Sequence, residues 1–125
     1  MARESIFTEN APKAVGPYVQ AVKTGGMIYC SGQLGINPAE GKLAEGVEAQ
    51  AHFSMKNLGA VLQKAGSGYG KIVKTSIFLA DMGDFAVVNE VYKSYFDGEY
   101  PARSCVQVAK LPLGGLVEIE CIAEA

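Results

Sequence analysis

The stretch Val117-Glu118-Ile119-Glu120-Cys121-Ile122-Ala123-Glu124 alternates between apolar residues and mostly acidic ones. Side chains of a β-strand point alternately to opposite faces, so the apolar residues of this stretch share one face and the glutamates share the other, with Ile122 among them. The apolar face is suited to meet helices, whereas the acidic face is not. The stretch therefore predicts a sheet with helices packed on one face.

A second alternating stretch, Pro101-Ala102-Arg103-Ser104-Cys105-Val106-Gln107-Val108, precedes the first and places an arginine at the start of a strand. The proline fixes its own backbone and biases Tyr100 towards extended structure, so the start of this strand is stiff. A guanidinium held in one place can grip a carboxylate by two parallel hydrogen bonds. Arg103 is therefore a candidate for binding a carboxylate.

Alternation also divides the side chains of the Arg103 strand between the two faces of the sheet. Val106 and Val108 are apolar, so we expect them to face the helices. The non-helix face would then carry the polar residues of both strands, namely Arg103, Cys105, Gln107, Glu118 and Glu120. Because this face mixes charged and apolar residues, we expect it to form an oligomer interface that contains a site.

Earlier in the chain, two segments have helical periodicity. Residues 47–65 carry an apolar stripe at spacings of three and four, formed by Ala51, Met55, Leu58, Leu62 and Ala65. A second helix is predicted to begin near Asp84, the expected N-cap, with the stripe Phe85, Val88, Tyr92, Tyr95 and Phe96. Asn89 is expected on the polar side of that helix.

Three further strands are predicted from β-branched and aromatic runs. Residues 18–24 and 27–31 form a hairpin across Gly25-Gly26, and residues 72–80 form a buried strand. Residues 1–17 are expected to be extended and polar. The resulting order is β-β-(β)-α-β-α-β-β, in which the strand in parentheses, before the first helix, is optional. This order predicts one α+β sandwich domain over residues 1–125, with both helices on one face of the sheet.

The composition excludes several classes of protein. The 125 residues suit one domain, and the net charge of −2 with scattered lysines and arginines weighs against nucleic-acid binding. Three cysteines without a CxxC spacing argue against a disulfide framework or a zinc site. The N-terminus has no apolar core of a signal peptide, and no apolar run is long enough to span a membrane. We therefore expect a cytoplasmic protein.

Several motifs in this order resemble the reactive-intermediate deaminase (Rid, or YjgF) family, most closely its RidA subgroup. They are Gly16-Pro17-Tyr18-Val19-Gln20-Ala21, Ser31-Gly32-Gln33, Val88-Asn89-Glu90-Val91-Tyr92, Pro101-Ala102-Arg103-Ser104 and Glu118-Ile119-Glu120. The resemblance covers nearly the whole chain. It implies a chorismate-mutase-like fold, a homotrimer around a central barrel, and hydrolysis of 2-imino acids to 2-keto acids and ammonia. It implies neither a cofactor nor a metal.

The resemblance also implies roles for individual residues. Arg103 would hold the substrate carboxylate, and Glu118 would position the attacking water and move a proton. Tyr18, Ser31, Gly32 and Asn89 match positions that line the substrate pocket. Cys105 would contribute its backbone N–H and C=O.

Covalent catalysis by the Cys105 thiol is disfavoured by the sequence. The only histidine, His52, lies on the first helix and is not placed to activate that thiol.

If the last two predicted strands, residues 103–110 and 116–123, form a simple hairpin, Glu118 lies opposite Val108. At roughly 3.3 Å per residue, Glu118 would then lie about 16 Å from Arg103, too far for one small imino acid to touch both. Either the register is very different, or each site combines residues from two subunits.

Three other functions stay open. One is an endoribonuclease or translation inhibitor, another is a non-catalytic regulatory module that binds small carboxylates, and chorismate mutase rests on fold analogy alone.

Overall fold

The structure, a computed structural model, describes residues 2–125 and contains ten regular elements. In chain order the strands and helices are β1 (Glu4–Ile6), β2 (Ala21–Thr24), β3 (Met27–Leu34), β4 (Ile36–Asn37), β5 (Lys42–Leu43), α1 (Val47–Lys64), β6 (Ile72–Leu79), α2 (Phe85–Lys93), β7 (Ala102–Gln107) and β8 (Val117–Glu124). Short 3₁₀ turns cover Tyr69–Lys71, Met82–Asp84 and Pro112–Gly114.

Six strands form one mixed sheet in the order β1-β2-β3-β8-β6-β7, and β4 and β5 form a separate small hairpin. Strands β6 and β7 run parallel, and the other pairs are antiparallel. The apolar faces of β8 and β6 and the stripes of α1 and α2 belong to one hydrophobic core. The predicted α+β sandwich with helices on one face is confirmed.

The local predictions from periodicity are largely confirmed. The five stripe residues predicted for α1 are all buried, and the helix ends at Lys64, one residue before the predicted end. The hairpin turn at Gly25-Gly26 has positive φ at both glycines, and Thr24 pairs with Met27 across it. Cys30 and Cys121 are buried free thiols directly opposite each other in β3 and β8.

Three local details differ from the sequence predictions. Strand β1 lies within the segment that we expected to be merely extended, and it adds to the sheet by pairing with β2. The short hairpin of β4 and β5, in which Ile36 pairs with Leu43 and Asn37 with Lys42, was not predicted. Asp84 occupies the N-cap position of α2 without a side-chain capping bond, and Asp81 caps the preceding 3₁₀ turn by accepting a hydrogen bond from Gly83 N.

Strands β7 and β8 do not form the simple hairpin considered from the sequence. Strand β6 lies between them, with Phe78 opposite Glu118 on one side and beside Val106 on the other. The unit β6-α2-β7 is a parallel crossover, which occupies one edge of β6 and leaves the other edge for β8. The chain between β7 and β8 therefore crosses past β6 instead of turning back directly.

The predicted orientation of the Arg103 strand is also wrong. Arg103 and Cys105 pair with the helix-facing residues Thr75 and Ile77, whereas Val106 lies on the opposite face and is 48% exposed. Strand β7 is at the edge of the sheet, where the hydrophobic core does not require apolar side chains. There the polar side chain of Arg103 faces α2, and Val106 lies on the face of the sheet opposite the helices.

Candidate functional site

An open cavity of about 980 Å³ lies against the ends of β3 and β8. Its polar lining includes Tyr18, Ser31, Gly32, Glu118 and Glu120. The structure therefore brings together four of the predicted site residues, and it adds Glu120, to which the sequence assigned no role in the site. We call this space the Glu118 cavity.

A β-bulge in β3 shapes the floor of the Glu118 cavity. Cys30 pairs with Cys121 and Gln33 pairs with Ile119, so Ser31 and Gly32 together oppose Glu120 alone. An extra residue of this kind bends the strand and redirects side chains. The bulge brings the backbone of Gly32 so close to Glu118 that an added Cβ would lie 2.8 Å from the carboxyl carbon.

Substituting Gly32 with alanine is therefore expected to displace the Glu118 carboxylate. The clash is with the end of a flexible side chain, so thermal stability should change little while turnover falls by at least about tenfold. Gly70→Ala is the matched control, because a Cβ there meets nothing within 4 Å. Steady-state kinetics and thermal melts of both variants test this, and wild-type turnover in Gly32→Ala would contradict it.

The environment of Glu118 favours its protonated form. Burial raises the pKa of the Glu118 carboxyl, and the neighbouring Glu120 carboxylate raises it further. A carboxyl with a raised pKa takes up and releases a proton closer to neutral pH than an ordinary glutamate does. Because the pKa of Glu118 is higher in the folded protein than in the unfolded chain, protonation of Glu118 stabilises the fold. This stabilisation is lost as the pH rises through the pKa of Glu118 in the folded protein.

The wall of the cavity is a segment anchored by a buried amide. Gln20 accepts a hydrogen bond from Thr8 N at 2.7 Å, and its amide nitrogen donates to the carbonyls of Thr8 and Pro12. Ser31 Oγ donates to Val19 O at 2.6 Å, so the lone pairs of this hydroxyl are left to accept from a ligand or a water. Tyr18 is 49% exposed on this wall, which places its phenol at the surface instead of in the core.

Two buried amides of α1 fix the opposite side of the cavity. Asn57 Nδ2 donates to the carbonyls of Leu34 and Ile36, and Gln50 Oε1 accepts from Leu116 N just before β8. An added Cβ at Gly35 would clash with the Gln50 backbone, so only glycine permits this close packing. The position of Glu118 thus depends on contacts between strands and α1.

A second group of predicted residues lies on the helix side of β7. Arg103 Nη1 donates to Asn89 Oδ1 at 2.6 Å, and the guanidinium carbon lies 5.1 Å and 5.5 Å from the ring centroids of Tyr92 and Phe85. We call these four residues the Arg103 cluster. The guanidinium is held by an amide and two aromatic rings before any ligand binds.

The prediction that Asn89 lies away from the apolar stripe of α2 is wrong. Phe85, Asn89 and Tyr92 are spaced at i, i+4 and i+7, which places all three on the same face of a helix. This spacing was visible in the sequence. It was the signal that could have linked Tyr92 and Phe85 to Arg103.

The backbone of Cys105 faces the outer edge of β7. Val108 N donates to Leu79 O, so by alternation the backbone groups of Arg103, Cys105 and Gln107 point to the other edge of β7. Within residues 2–125, no strand pairs with that edge. Burial raises the pKa of the Cys105 thiol although the nearby Arg103 lowers it, which disfavours a thiolate.

The Arg103 cluster and the Glu118 cavity are separated within one chain. Arg103 lies beside Thr75, which lies beside Cys121, three residues from Glu118. Two strand spacings of about 4.8 Å and three residues of about 3.3 Å separate their Cα atoms by about 14 Å. The two side chains also leave opposite faces of the sheet, so one chain does not bring them onto one small molecule.

The family model described as Endoribonuclease L-PSP matches residues 8–125. The chain belongs to this family, the Rid family. A mouse relative named 2-iminobutanoate/2-iminopropanoate deaminase is 52% identical over 97% of this chain and 90% of its own length. A relative of the same name from Salmonella typhimurium is 49% identical over 96% of both chains.

Solved structures of other Rid proteins share the fold of this Rid chain. RidA from an Antarctic Psychrobacter matches with a TM-score of 0.95 and 48% identity, over 98% of this chain and 99% of its own. Escherichia coli TdcF with bound serine matches with a TM-score of 0.94 and 46% identity, over 98% of both chains. The predicted YjgF-like fold is confirmed.

Two further findings on this Rid chain concern metal binding and membrane-spanning helices. Within the described residues, His, Cys, Asp and Glu side chains do not gather in groups of three that could hold a metal ion. Neither α1 nor any other helix in residues 2–125 has the length and apolar character needed to cross a membrane.

Proposed function

We propose that this chain is a 2-iminobutanoate/2-iminopropanoate deaminase, which hydrolyses these 2-imino acids to 2-keto acids and ammonia. One observation carries the proposal: a preorganised guanidinium and a half-buried carboxylate of raised pKa are available, the two groups that imine hydrolysis of an imino acid needs. The names and near full-length identity of the mouse and Salmonella relatives support it.

Arg103 binds the substrate carboxylate. Its planar fork makes two parallel hydrogen bonds, and a charge-assisted bond contributes about 1.5–3 kcal/mol. The free backbone edge at Cys105 supplies further hydrogen-bonding groups. The carboxylate is thereby fixed, and the C=N carbon next to it is held in one orientation.

Glu118 delivers the water. The carboxylate accepts a proton while the water oxygen adds to the C=N carbon, and the proton passes to the nitrogen to give a carbinolamine. The carbinolamine hydroxyl then loses its proton and the amino group gains one, with Glu118 carrying the proton, and the C–N bond breaks to release ammonia and leave the 2-keto acid. Tyr18 and Ser31 hydrogen-bond the water or the substrate, and the raised pKa of Glu118 suits a group that both accepts and donates a proton.

The assembly in this proposal is a homotrimer whose sites each combine the Arg103 cluster of one subunit with the Glu118 cavity of the next. The non-helix face of the sheet supports an assembly, because Tyr29 and Val106 are large exposed apolar residues there and Phe78 and Ile122 are only half-buried. The separation of Arg103 from Glu118 within one chain supports a shared site.

The test of the function is direct. A threonine dehydratase generates 2-iminobutanoate in situ, and the rate at which 2-ketobutanoate appears is compared with and without this protein. Addition of the protein should accelerate the appearance, and Arg103→Ala should not. Equal rates with and without wild-type protein would reject the proposal.

Cys105→Ala is expected to remain substantially active. The proposal uses only the backbone of Cys105, and alanine preserves that backbone. The half-buried thiol packs against the core, so a stability loss of about 1 kcal/mol is expected from the smaller side chain. Kinetics and a thermal melt check this, and complete loss of turnover in an intact assembly would restore the nucleophile hypothesis.

The description of the family model names an endoribonuclease, which makes RNA cleavage the second candidate. The Glu118 cavity disfavours it, because Glu9 and Glu120 also line the space and repel phosphates, against one lysine, Lys13. Ribonuclease assays on highly purified wild-type and Arg103→Ala protein distinguish the two. A non-catalytic module would instead bind 2-ketobutanoate without accelerating hydrolysis.

A further inference from the structure

We infer that Tyr92 and Phe85 are positioning residues for the carboxylate-binding Arg103: their rings form an aromatic shelf that fixes the guanidinium before substrate arrives. The inference rests on the proposed function, because it concerns the same carboxylate. The sequence predicts only that both rings belong to the hydrophobic stripe of α2. The structure gives them a second contact, with Arg103.

The geometry of the shelf is defined by three contacts to one guanidinium. Its carbon lies 5.1 Å from the Tyr92 ring centroid and 5.5 Å from that of Phe85, both within the range of cation–π attraction. Asn89 Oδ1 accepts from Nη1 at 2.6 Å and fixes the rotation of the group. One edge of the guanidinium is thus engaged, and its remaining N–H groups can bind a ligand.

Tyr92 is itself held rigidly. It is 4% exposed, and its hydroxyl is 2.7 Å from Thr75 Oγ1, which is fully buried on the neighbouring strand β6. Burial raises the pKa of the Tyr92 phenol, although Thr75 and Arg103 oppose the shift. The phenol is therefore neutral at physiological pH.

A fixed shelf lowers the conformational cost of binding. A free arginine side chain has large rotamer entropy, which is lost when its two hydrogen bonds to a carboxylate form. The rings and the amide remove much of that freedom beforehand. The consequence is tighter binding of carboxylate ligands, without direct contact between the rings and the reacting atoms.

The experiment measures the binding of two ligands by NMR titration, the product 2-ketobutanoate and its uncharged analogue 2-ketobutanamide. Tyr92→Leu removes a ring face, so the Kd for 2-ketobutanoate should rise by about twofold to thirtyfold, while the Kd for the amide should not change. Tyr92→Phe keeps the ring and should bind 2-ketobutanoate within about twofold of wild type. In turnover assays the KM of Tyr92→Leu should rise more than its kcat falls.

The matched control is Tyr95→Leu, which removes a half-buried aromatic residue that hydrogen-bonds His52 instead of contacting Arg103. It should lose thermal stability without a change in either Kd. If Tyr92→Leu does not fold, Phe85→Leu tests the same shelf at a half-buried position.

A double-mutant cycle with Arg103→Ala decides between positioning and a merely structural role. If the shelf acts through Arg103, adding Tyr92→Leu to Arg103→Ala should not weaken 2-ketobutanoate binding further. If the losses of 2-ketobutanoate affinity from Tyr92→Leu and Arg103→Ala add in the double variant, the shelf hypothesis is rejected. Unchanged 2-ketobutanoate binding in both Tyr92→Leu and Phe85→Leu would also reject it. Neither result would affect the proposed role of Arg103 in binding the carboxylate. Equal affinity of the wild-type protein for the acid and the amide would overturn both the shelf and the carboxylate role of Arg103.

Discussion

Arg103→Lys is expected to lower kcat/KM for 2-iminobutanoate by about tenfold to a hundredfold, although the positive charge is kept. Lysine offers a point charge in place of the planar fork, so one of two parallel hydrogen bonds to the carboxylate is lost. An ammonium also cannot stack through a planar face on Tyr92 and Phe85, nor donate to Asn89 from the same position. The loss should appear mainly in KM if the carboxylate contact is equally strong in the ground and transition states.

The fold should survive this substitution. Arg103 lies on the helix side of the sheet but only half-buried, on the edge strand β7, and lysine keeps most of its apolar stem. A thermal melt and the oligomeric state by light scattering provide the control. Near-wild-type kcat/KM in a folded Arg103→Lys protein would remove the bidentate carboxylate contact from the mechanism.

Mixing Arg103→Ala chains with Glu118→Ala chains is expected to restore activity that neither variant has alone. In the proposed trimer, a site is intact when its Arg103 comes from a Glu118→Ala chain and its Glu118 from an Arg103→Ala chain. With equal amounts and random reassembly, about a quarter of the sites meet this condition. Activity should recover to about that fraction of wild type.

A dilution control makes this test quantitative. Wild-type chains are mixed in equal amounts with chains that carry both substitutions. Sites within one chain would retain about half of the activity, whereas shared sites would retain about a quarter. Mass spectrometry verifies that mixed trimers have formed. If verified mixed trimers of the two single variants stay inactive, Arg103 and Glu118 act within one chain and the shared site is wrong.

The sequence by itself determined both helices and the longer strands of this protein, because they follow from local periodicity. The α1 stripe, the Gly25-Gly26 turn and the alternation of residues 117–124 each specify a structure through neighbours in the chain. The ordered motifs around Tyr18, Ser31 and Arg103 were sufficient to indicate the Rid family, which the comparisons confirm.

The tertiary structure alone decided how the strands are ordered. Adjacent strands in sequence favour a hairpin, and only the crossover through α2 places β6 between β7 and β8. Alternation is also symmetric, since it says which residues share a face but not which face meets the helices. At a central strand the core settles that choice, but at the edge strand β7 burial gives no such guide, and Arg103 was assigned to the wrong face.

The site likewise depended on contacts between distant segments. The bulge at Ser31-Gly32 brings β3 against Glu118, and Gln20 holds the wall of the cavity through bonds to residues 8–12. These pairings arise from burial and from satisfying buried polar groups, which no local pattern encodes. The sequence therefore indicated the residues of the candidate site and a large distance between Arg103 and Glu118, whereas only the fold revealed that these two side chains leave opposite faces of the sheet.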